Sequence, residues 1–441
     1  MELIMFIIFL ILTSYKMKFH INVLMSFFMF FYFMLFSSCN FFFSGVSYFM
    51  GYDLLSFSLI LLSLWLMIFM LLSSNNFLKK NFYFNELMVT QYILLLFLIL
   101  SFSVSNLFMY YFFFESSLVP TLFLIFGWGY QPERLSAGYY MLLYTLFCSL
   151  PMLLGIFYIN DTYFTLSFFL LNVDYNLYLY LSMIMGFLVK LPMVFTHFWL
   201  PKAHVEAPVM GSMALAGILL KLGGYGLLRV FSFFPKMFNF GYIFMSLTFW
   251  GMLVVSILCI YQVDMKSMIA YSSVVHMGMV ICGIMSMSYW GYVGSLLLMI
   301  GHGLCSSGMF YMSGVYYERS SSRSLLLNKG LLTLTPSLCF YWFLLLINNM
   351  ASPPTLNLLG EIMLINSIVS WCKFSMFYLM FVSFFSCVYC IYLYSIISHG
   401  FTSSSLLYAS SGFFLEYFIL FMHIFPLNFL IIKSDFITAF I

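Results

Sequence analysis

The chain has 441 residues, of which 64% are hydrophobic and 7% charged, with a formal net charge of +3. Soluble domains carry about 25% charged residues, so this composition leaves no material for a water-facing surface and excludes a soluble enzyme. The few positive charges are dispersed, which excludes nucleic-acid binding, where Lys and Arg must cluster.

Apolar runs of about 17–25 residues cross a bilayer as helices. Fourteen are predicted, near 1–15, 21–39, 52–73, 85–105, 106–127, 136–158, 178–200, 207–230, 241–262, 266–287, 290–316, 332–370, 374–396 and 411–432. The expected fold is therefore an all-α polytopic membrane protein. The start, MELIMFIIFLIL, lacks a basic flank and a small-residue cleavage site, so it is expected to be a retained first span and not a signal peptide. The seventh span is interrupted by Pro192, and the eighth is expected to be loosened by Gly223, Gly224 and Gly226. The twelfth is too long for one regular helix and contains NNMASPPTLN. Pro353 and Pro354 remove backbone donors there, so this span is expected to be broken and buried within protein.

Ten of the sixteen Lys and Arg (Lys16, Lys18, Lys79, Lys80, Arg134, Lys202, Lys266, Arg319, Arg323 and Lys329) fall after odd-numbered spans. Only Arg229, Lys236, Lys373 and Lys433 fall on the other side. The positive-inside rule then places the odd-numbered loops toward the cytoplasm-like compartment and both termini opposite. The loops are short, and the chain shows no glycine-rich nucleotide loop, metal-ligand cluster or haem motif. Of the nine cysteines, Cys387 and Cys390 form a CxxC. No polar residue accompanies it, so it reads as small residues in a spanning helix and not as a redox or metal pair. PKAHVEAP offers His204 and Glu206, two ligands without a third, and no metal site is expected there.

Chemistry must therefore occur at membrane depth. Glu115, Lys190, Lys221 and Glu361 stand inside predicted spans, joined by His197, His276 and His302. Intramembrane ionisable residues face the bundle interior and mark ion or proton paths. The competing reading is static glue between helices, which one compensated pair would satisfy; four charges on several helices, two beside broken segments, form a series. A buried lysine is pushed toward its neutral form, and a nearby carboxylate pulls it back. Moving one glutamate would therefore switch it. A charged lysine binds no metal cation, which disfavours a sodium site. His197, seven residues after Lys190, is expected two helical turns along the same face. The hydroxyls of Ser272, Ser273, Ser306 and Ser307 extend a candidate hydrogen-bonded row. Glu416 and His423 read as terminal or local contacts. Spans four to eight carry a carboxylate and then a broken, lysine-bearing helix. Spans nine to thirteen carry His276 and then a broken, glutamate-bearing one. An odd number of helices per repeat inverts the second copy, a common transporter plan.

These residues also carry a resemblance. FFFESSLVPTLFLIFGWGYQPERL, LVKLPMVFTHFWLPKAHVEAPVMGSMALAGILLKLGGYGLLR, DMKSMIAYSSVVHMGM, GHGLCSSGMF and PPTLNLLGE together resemble the antiporter-like membrane subunits of respiratory complex I. Within them they resemble the mitochondrial NADH–ubiquinone oxidoreductase chain 4 family. The match is dense from about residue 105 to 365 and looser outside. The resemblance implies fourteen helices with two inverted five-helix repeats. Residues 1–84 would hold the first three helices, 85–232 the first repeat, 233–396 the second and 397–441 the last helix. It implies a proton channel built on a Glu115–Lys190 pair, a central Lys221 and an exit at Glu361, with His197, His276 and His302 in the relay. Glutamate at the helix-12 position, and no long lateral helix after residue 433, favour chain 4 over its chain 2 and chain 5 relatives.

The resemblance further implies a subunit of an H+-translocating NADH:ubiquinone reductase in the mitochondrial inner membrane. NAD, FMN, iron–sulfur clusters and ubiquinone would sit on other subunits, with no cofactor or metal on this chain. Partners would be other membrane-arm subunits, including chains 2 and 5, and lipids. The abundance of Phe, Met and Tyr points to an AT-rich coding sequence, as in an organelle genome. The rival readings are an Mrp-type cation/proton antiporter subunit and a structural membrane scaffold.

Overall fold

An apolar chain in lipid must satisfy its backbone internally, and helices do so within one segment. The computed structural model describes residues 2–37, 44–47, 49–80, 82–174, 176–234, 241–402 and 411–438. Cys39, at the end of the second predicted span, and Lys236, counted among the loop charges, lie outside the described residues.

The amino-terminal half contains α1 (Glu2–Ser14), α2 (Phe19–Phe36), a hairpin of β1 (Ser44–Ser47) and β2 (Met50–Tyr52), α3 (Leu54–Ser73), α4 (Asn75–Lys80), α5 (Phe84–Ser103), α6 (Leu107–Ser116), α7 (Leu118–Trp128) and α8 (Arg134–Tyr163). Next come α9 (Leu177–Lys190), α10 (Trp199–Glu206) and α11 (Val209–Ala214), which runs through a π-helical turn, Leu215–Leu219, into α12 (Leu220–Phe233). The remainder is α13 (Gly241–Ile260), α14 (Met265–Met285), α15 (Tyr289–Ser320), α16 (Leu331–Leu334), α17 (Pro336–Asn349), α18 (Leu356–Trp371), α19 (Ser375–Ser398), α20 (Phe414–Phe429) and α21 (Asp435–Thr438). The small antiparallel hairpin, with Ser44 opposite Tyr52, is the one departure from the all-α expectation among the described residues.

Ten of the described helical stretches are long and apolar enough to cross a membrane, and Glu2–Ser14, Leu177–Lys190, Leu356–Trp371 and Phe414–Phe429 are shorter apolar helices. The chain is a multi-pass helical membrane protein. Its described residues fall into two compact units, one from Met1–Leu191 and Glu206–Asn239, the other from Pro192–Val205 and Phe240–Thr438. In the first, α5 packs on α1, α3 and α6, while α9 packs on α8 and α12. In the second, α15 lies against α14, α17, α18 and α20, and α13 against α14 and α19.

The broken seventh span has the expected cause. α9 stops at Lys190, two residues before Pro192, and the chain becomes helical again only at Trp199. The twelfth is interrupted between Asn349 and Leu356, where the Pro353–Pro354 bond is cis. That break is not fully buried as expected. Pro353 and Pro354 are exposed, and they can be, because proline has no N–H to satisfy. The eighth span differs from expectation. Gly223, Gly224 and Gly226 lie in regular α-helix, and the irregular turn is the π segment just before Lys221.

Two cations counted as loop charges are buried within helices. Lys266 is buried in the first turn of α14. Arg229 is buried in α12, where its Nη2 lies 2.6 Å from Asp53 Oδ1. Asp53 also caps α3, accepting from Ser56 N at 3.1 Å. A buried cation is stable in a span when a carboxylate meets it, and this partner lies 176 residues away, too far to be read from local sequence.

Candidate functional site

In the first unit Glu115 lies one residue before the end of α6 and Lys190 ends α9. Asn106 caps the start of α6, accepting from Phe108 N at 3.2 Å, and Asn176 caps α9, accepting from Tyr178 N at 3.1 Å. Lys190 is 3% exposed. Its Nζ donates to the Phe114 carbonyl at 2.7 Å and stands 3.0 Å from the centroid of the Phe114 ring. Both carboxylate oxygens of Glu115, the next residue, are buried, with the Ser149 hydroxyl and the Lys190 charge as their polar neighbours. The expected pair is thus adjacent but not joined, and the ammonium is held by a neutral carbonyl and a ring face.

Lys221 is fully buried. Its Nζ donates to the Ala216 carbonyl at 2.5 Å, within the π turn. Such turns displace the regular ladder of backbone bonds and recur at functional sites. Here the turn gives a buried lysine a polar contact one turn back along its own helix. Gly226 serves packing: a Cβ there would collide with the Phe187 ring and reach 2.7 Å from Tyr110 Oη.

Beside Lys190 lies an aromatic cluster that reaches the backbone next to Lys221. Tyr110 packs its ring against Phe114, Phe187 and Tyr225 at centroid distances of 5.7, 6.1 and 5.6 Å. Its hydroxyl donates to the Leu222 carbonyl at 2.8 Å, and Tyr225 donates to that of Phe102 at 3.0 Å. Sequence reasoning missed Tyr110 and Tyr225, because aromatic residues are so common in this chain that none stands out.

The second unit gathers His276 from α14, His302 from α15 and Glu361 from α18. His276 Nδ1 lies 3.4 Å from Glu361 Oε1, and the two imidazole centroids are 5.6 Å apart. Tyr389 of α19, also missed, places its hydroxyl 3.4 Å from His276 Nε2. Its place beside Cys390 in VYCIY gives no sign of this contact.

Two expectations fail on geometry. His197 does not continue a helical face from Lys190, because residues 191–198 are not helical and Phe195 has a φ of 76°. It stacks on Phe198 at 4.5 Å and meets Tyr271 edge-on at 6.2 Å. The serine row is also absent. Ser272, Ser273, Ser306 and Ser307 each donate to a carbonyl three or four residues back on their own helix, the usual way a serine satisfies itself in a helix. His204 lies in helix α10 and stacks on Phe310 at 4.7 Å. Of the remaining ionisable residues, Glu416 is a local contact, 2.7 Å from Arg319, and His423 Nδ1 lies 2.7 Å from the Ile419 carbonyl. Cys390 is buried and accepts from Asn349 Nδ2 at 3.3 Å.

Two family models match the chain. Residues 1–101 match the amino terminus of NADH-ubiquinone oxidoreductase chain 4, and residues 104–388 match the transmembrane region of NADH:quinone oxidoreductase/Mrp antiporters. A protein of Ceratitis capitata named NADH-ubiquinone oxidoreductase chain 4 is 56% identical over 400 residues, 90% of each chain. The chain belongs to the NADH-ubiquinone oxidoreductase chain 4 family. The Aedes aegypti chain 4 is 53% identical over 92% of this chain and 91% of its own length. The fold is also that of a chain in respiratory complex I from Thermus thermophilus with bound NADH. That match has a TM-score of 0.87, 20% identity and coverage of 99% and 98%.

Proposed function

We propose that this chain 4 family member is a proton-translocating subunit of the membrane arm of respiratory complex I. It moves protons across the mitochondrial inner membrane while NADH:ubiquinone oxidoreduction proceeds on other subunits. One observation carries the reading: Lys190 and the Glu115 carboxylate are buried side by side, yet Lys190 Nζ bonds to the Phe114 carbonyl and not to the carboxylate, whose polar neighbour is the Ser149 hydroxyl. A static lock would have joined them. Two buried opposite charges left apart can be brought together and separated.

The proposed steps follow from that geometry. When the Glu115 carboxylate approaches, it stabilises the Lys190 ammonium. When it withdraws, burial favours release of the proton. Lys221 receives protons centrally, supported by Ala216, and Glu361 passes them out through its contact with His276. His302 belongs to the same relay, and His197 is kept as an entry-side candidate only. Residues 85–232 and 233–396 are proposed as the two inverted repeats, among fourteen crossings. Moving one proton against about 100 mV costs about 2.3 kcal/mol. We assign that work to redox steps on partners holding NAD, FMN, iron–sulfur clusters and ubiquinone. The neighbours proposed are the antiporter-like chains 2 and 5, with lipid around them.

The Mrp-type antiporter shares the second family model, and a scaffold shares the buried charges. Replacing Lys190 with Met in the assembled complex separates the readings. The proposal expects pumping and quinone reduction to fall together. Unchanged pumping supports a scaffold, and uphill cation–proton exchange by the isolated chain supports the antiporter.

A further inference from the structure

The end of α17 and the start of α18 carry three buried carboxamides that the relay does not yet use. Asn348, Asn349 and Asn357 are each 2% exposed. Asn357 Nδ2 donates to the Asn348 carbonyl at 2.8 Å, and Asn349 Nδ2 to Cys390 Sγ at 3.3 Å. Asn348 Nδ2, Asn349 Oδ1 and Asn357 Oδ1 are buried with no hydrogen-bond partner in the protein. Buried polar atoms are ordinarily satisfied by protein or by ordered water, and such water sits where several polar groups converge.

Their position is specific. Asn357 precedes Glu361 by four residues on α18, so both occupy one helix face. Asn357 Oδ1 packs onto Gly301 of α15, where any Cβ would collide with it. The next residue along α15 is His302. Asn357 therefore lies between the backbone beside His302 and the Glu361 carboxylate. The other link to Glu361, from His276, is 3.4 Å long, beyond the about 2.7–3.2 Å of a well-formed N–H···O bond. A proton crosses such a gap more readily through a bridging water.

We propose that Asn357 holds a water beside Glu361, and that Asn348, Asn349 and Asn357 form an uncharged water-binding station between the His276–His302 pair and Glu361. This rests on the proton-translocating reading. The water takes a proton from a protonated imidazole on its oxygen and gives one of its own hydrogens, as a proton, to the carboxylate. The imidazolium N–H and one water O–H break, a new water O–H and the carboxyl O–H form, and imidazole, water and carboxylic acid are all left neutral. Carboxamides suit this task because they orient water without titrating. They are positioning residues.

The test uses the assembled complex in membrane vesicles with three variants: Asn357→Leu, Asn357→Ser and Glu361→Gln. Assembled enzyme, pumping rate per enzyme and the solvent hydrogen/deuterium isotope effect are measured for each. Asn357→Leu, close in size, is expected to pump about tenfold more slowly with a larger isotope effect. Asn357→Ser, which keeps an acceptor, restores most of the rate. If Asn357→Leu lowers only the amount of assembled enzyme, leaving pumping and isotope effect unchanged, the carboxamide is a structural tie and the station is wrong. Should Asn357→Leu fail to assemble, Asn349→Leu gives the same comparison. Impaired Glu361→Gln beside normal Asn357→Leu overturns the station alone, whereas normal pumping by Glu361→Gln overturns the relay beneath it.

Discussion

Lys190 and Glu115 meet through a third residue: the ammonium bonds to the carbonyl of Phe114, the residue before Glu115 in the chain, and not to the glutamate itself. On the proposed reading, the lysine has a neutral resting place, which a switch needs in addition to a charged one.

That arrangement makes Glu115 dispensable for holding Lys190 in place but not for transport. Glu115→Gln should leave the complex assembled, because the Phe114 contact survives. A positioned proton-transfer group contributes about 10²–10⁴-fold in rate, so pumping should fall at least into that range. Wild-type pumping in an assembled Glu115→Gln complex would show the pair to be structural.

Lys221 depends on the π turn before it. Lys221→Met keeps the length and loses the charge, and should abolish most pumping while the complex still assembles. Lys221→Arg should not rescue it, since guanidinium does not release its proton in proteins. Full activity in the arginine variant would mean that position 221 acts by charge alone. Proton flux measured in vesicles under an imposed gradient gives the answer.

Gly226 lets α12 approach α9. A methyl group there meets the Phe187 ring and the Tyr110 hydroxyl, and overpacking a dense core costs about 1–3 kcal/mol. Gly226→Ala should lower the thermal stability of the assembled complex, and a smaller residue at 187 should restore part of it. A thermal melt with no shift in Gly226→Ala would show that the ring yields freely.

Asp53 and Arg229 are best tested as a pair. Removing one partner of a buried ion pair costs about 3–5 kcal/mol, whereas replacing both costs much less. Asp53→Asn should therefore impair assembly more than Asp53→Asn combined with Arg229→Met. Additive losses in a double-mutant cycle would mean that the two residues do not support each other.

The sequence exposed those features that have a local cause. Pro192 and the Pro353–Pro354 pair mark both helix breaks, because proline acts on its own turn. Glu115, Lys190, Lys221 and Glu361 stand out because charge is scarce. Features set by tertiary contact were hidden. Arg229 reads as a loop cation because its partner Asp53 lies 176 residues away, and Lys266 reads as one because nothing local marks its burial. His197 was placed on a helical face by counting residues through a segment that is not helical. The π turn at Leu215–Leu219 carries no proline or charge to announce it. The asparagines of NNMASPPTLN were visible as part of a break, but which of their atoms lacked partners depended on α15 and α19.

The aromatic cluster around Tyr110 has a consequence for efficiency. A pump loses its gradient if its two half-channels are ever conductive together, so it needs an insulator as much as a wire. Tyr110, Phe114, Phe187 and Tyr225 are all buried. The two tyrosine hydroxyls are tied to the Leu222 and Phe102 carbonyls, so neither is free to hand a proton onward. If the proposed relay runs from Lys190 to Lys221, this apolar stack beside Lys190 makes charge advance in discrete, gated jumps, and back-flow down the gradient meets a closed dielectric wall.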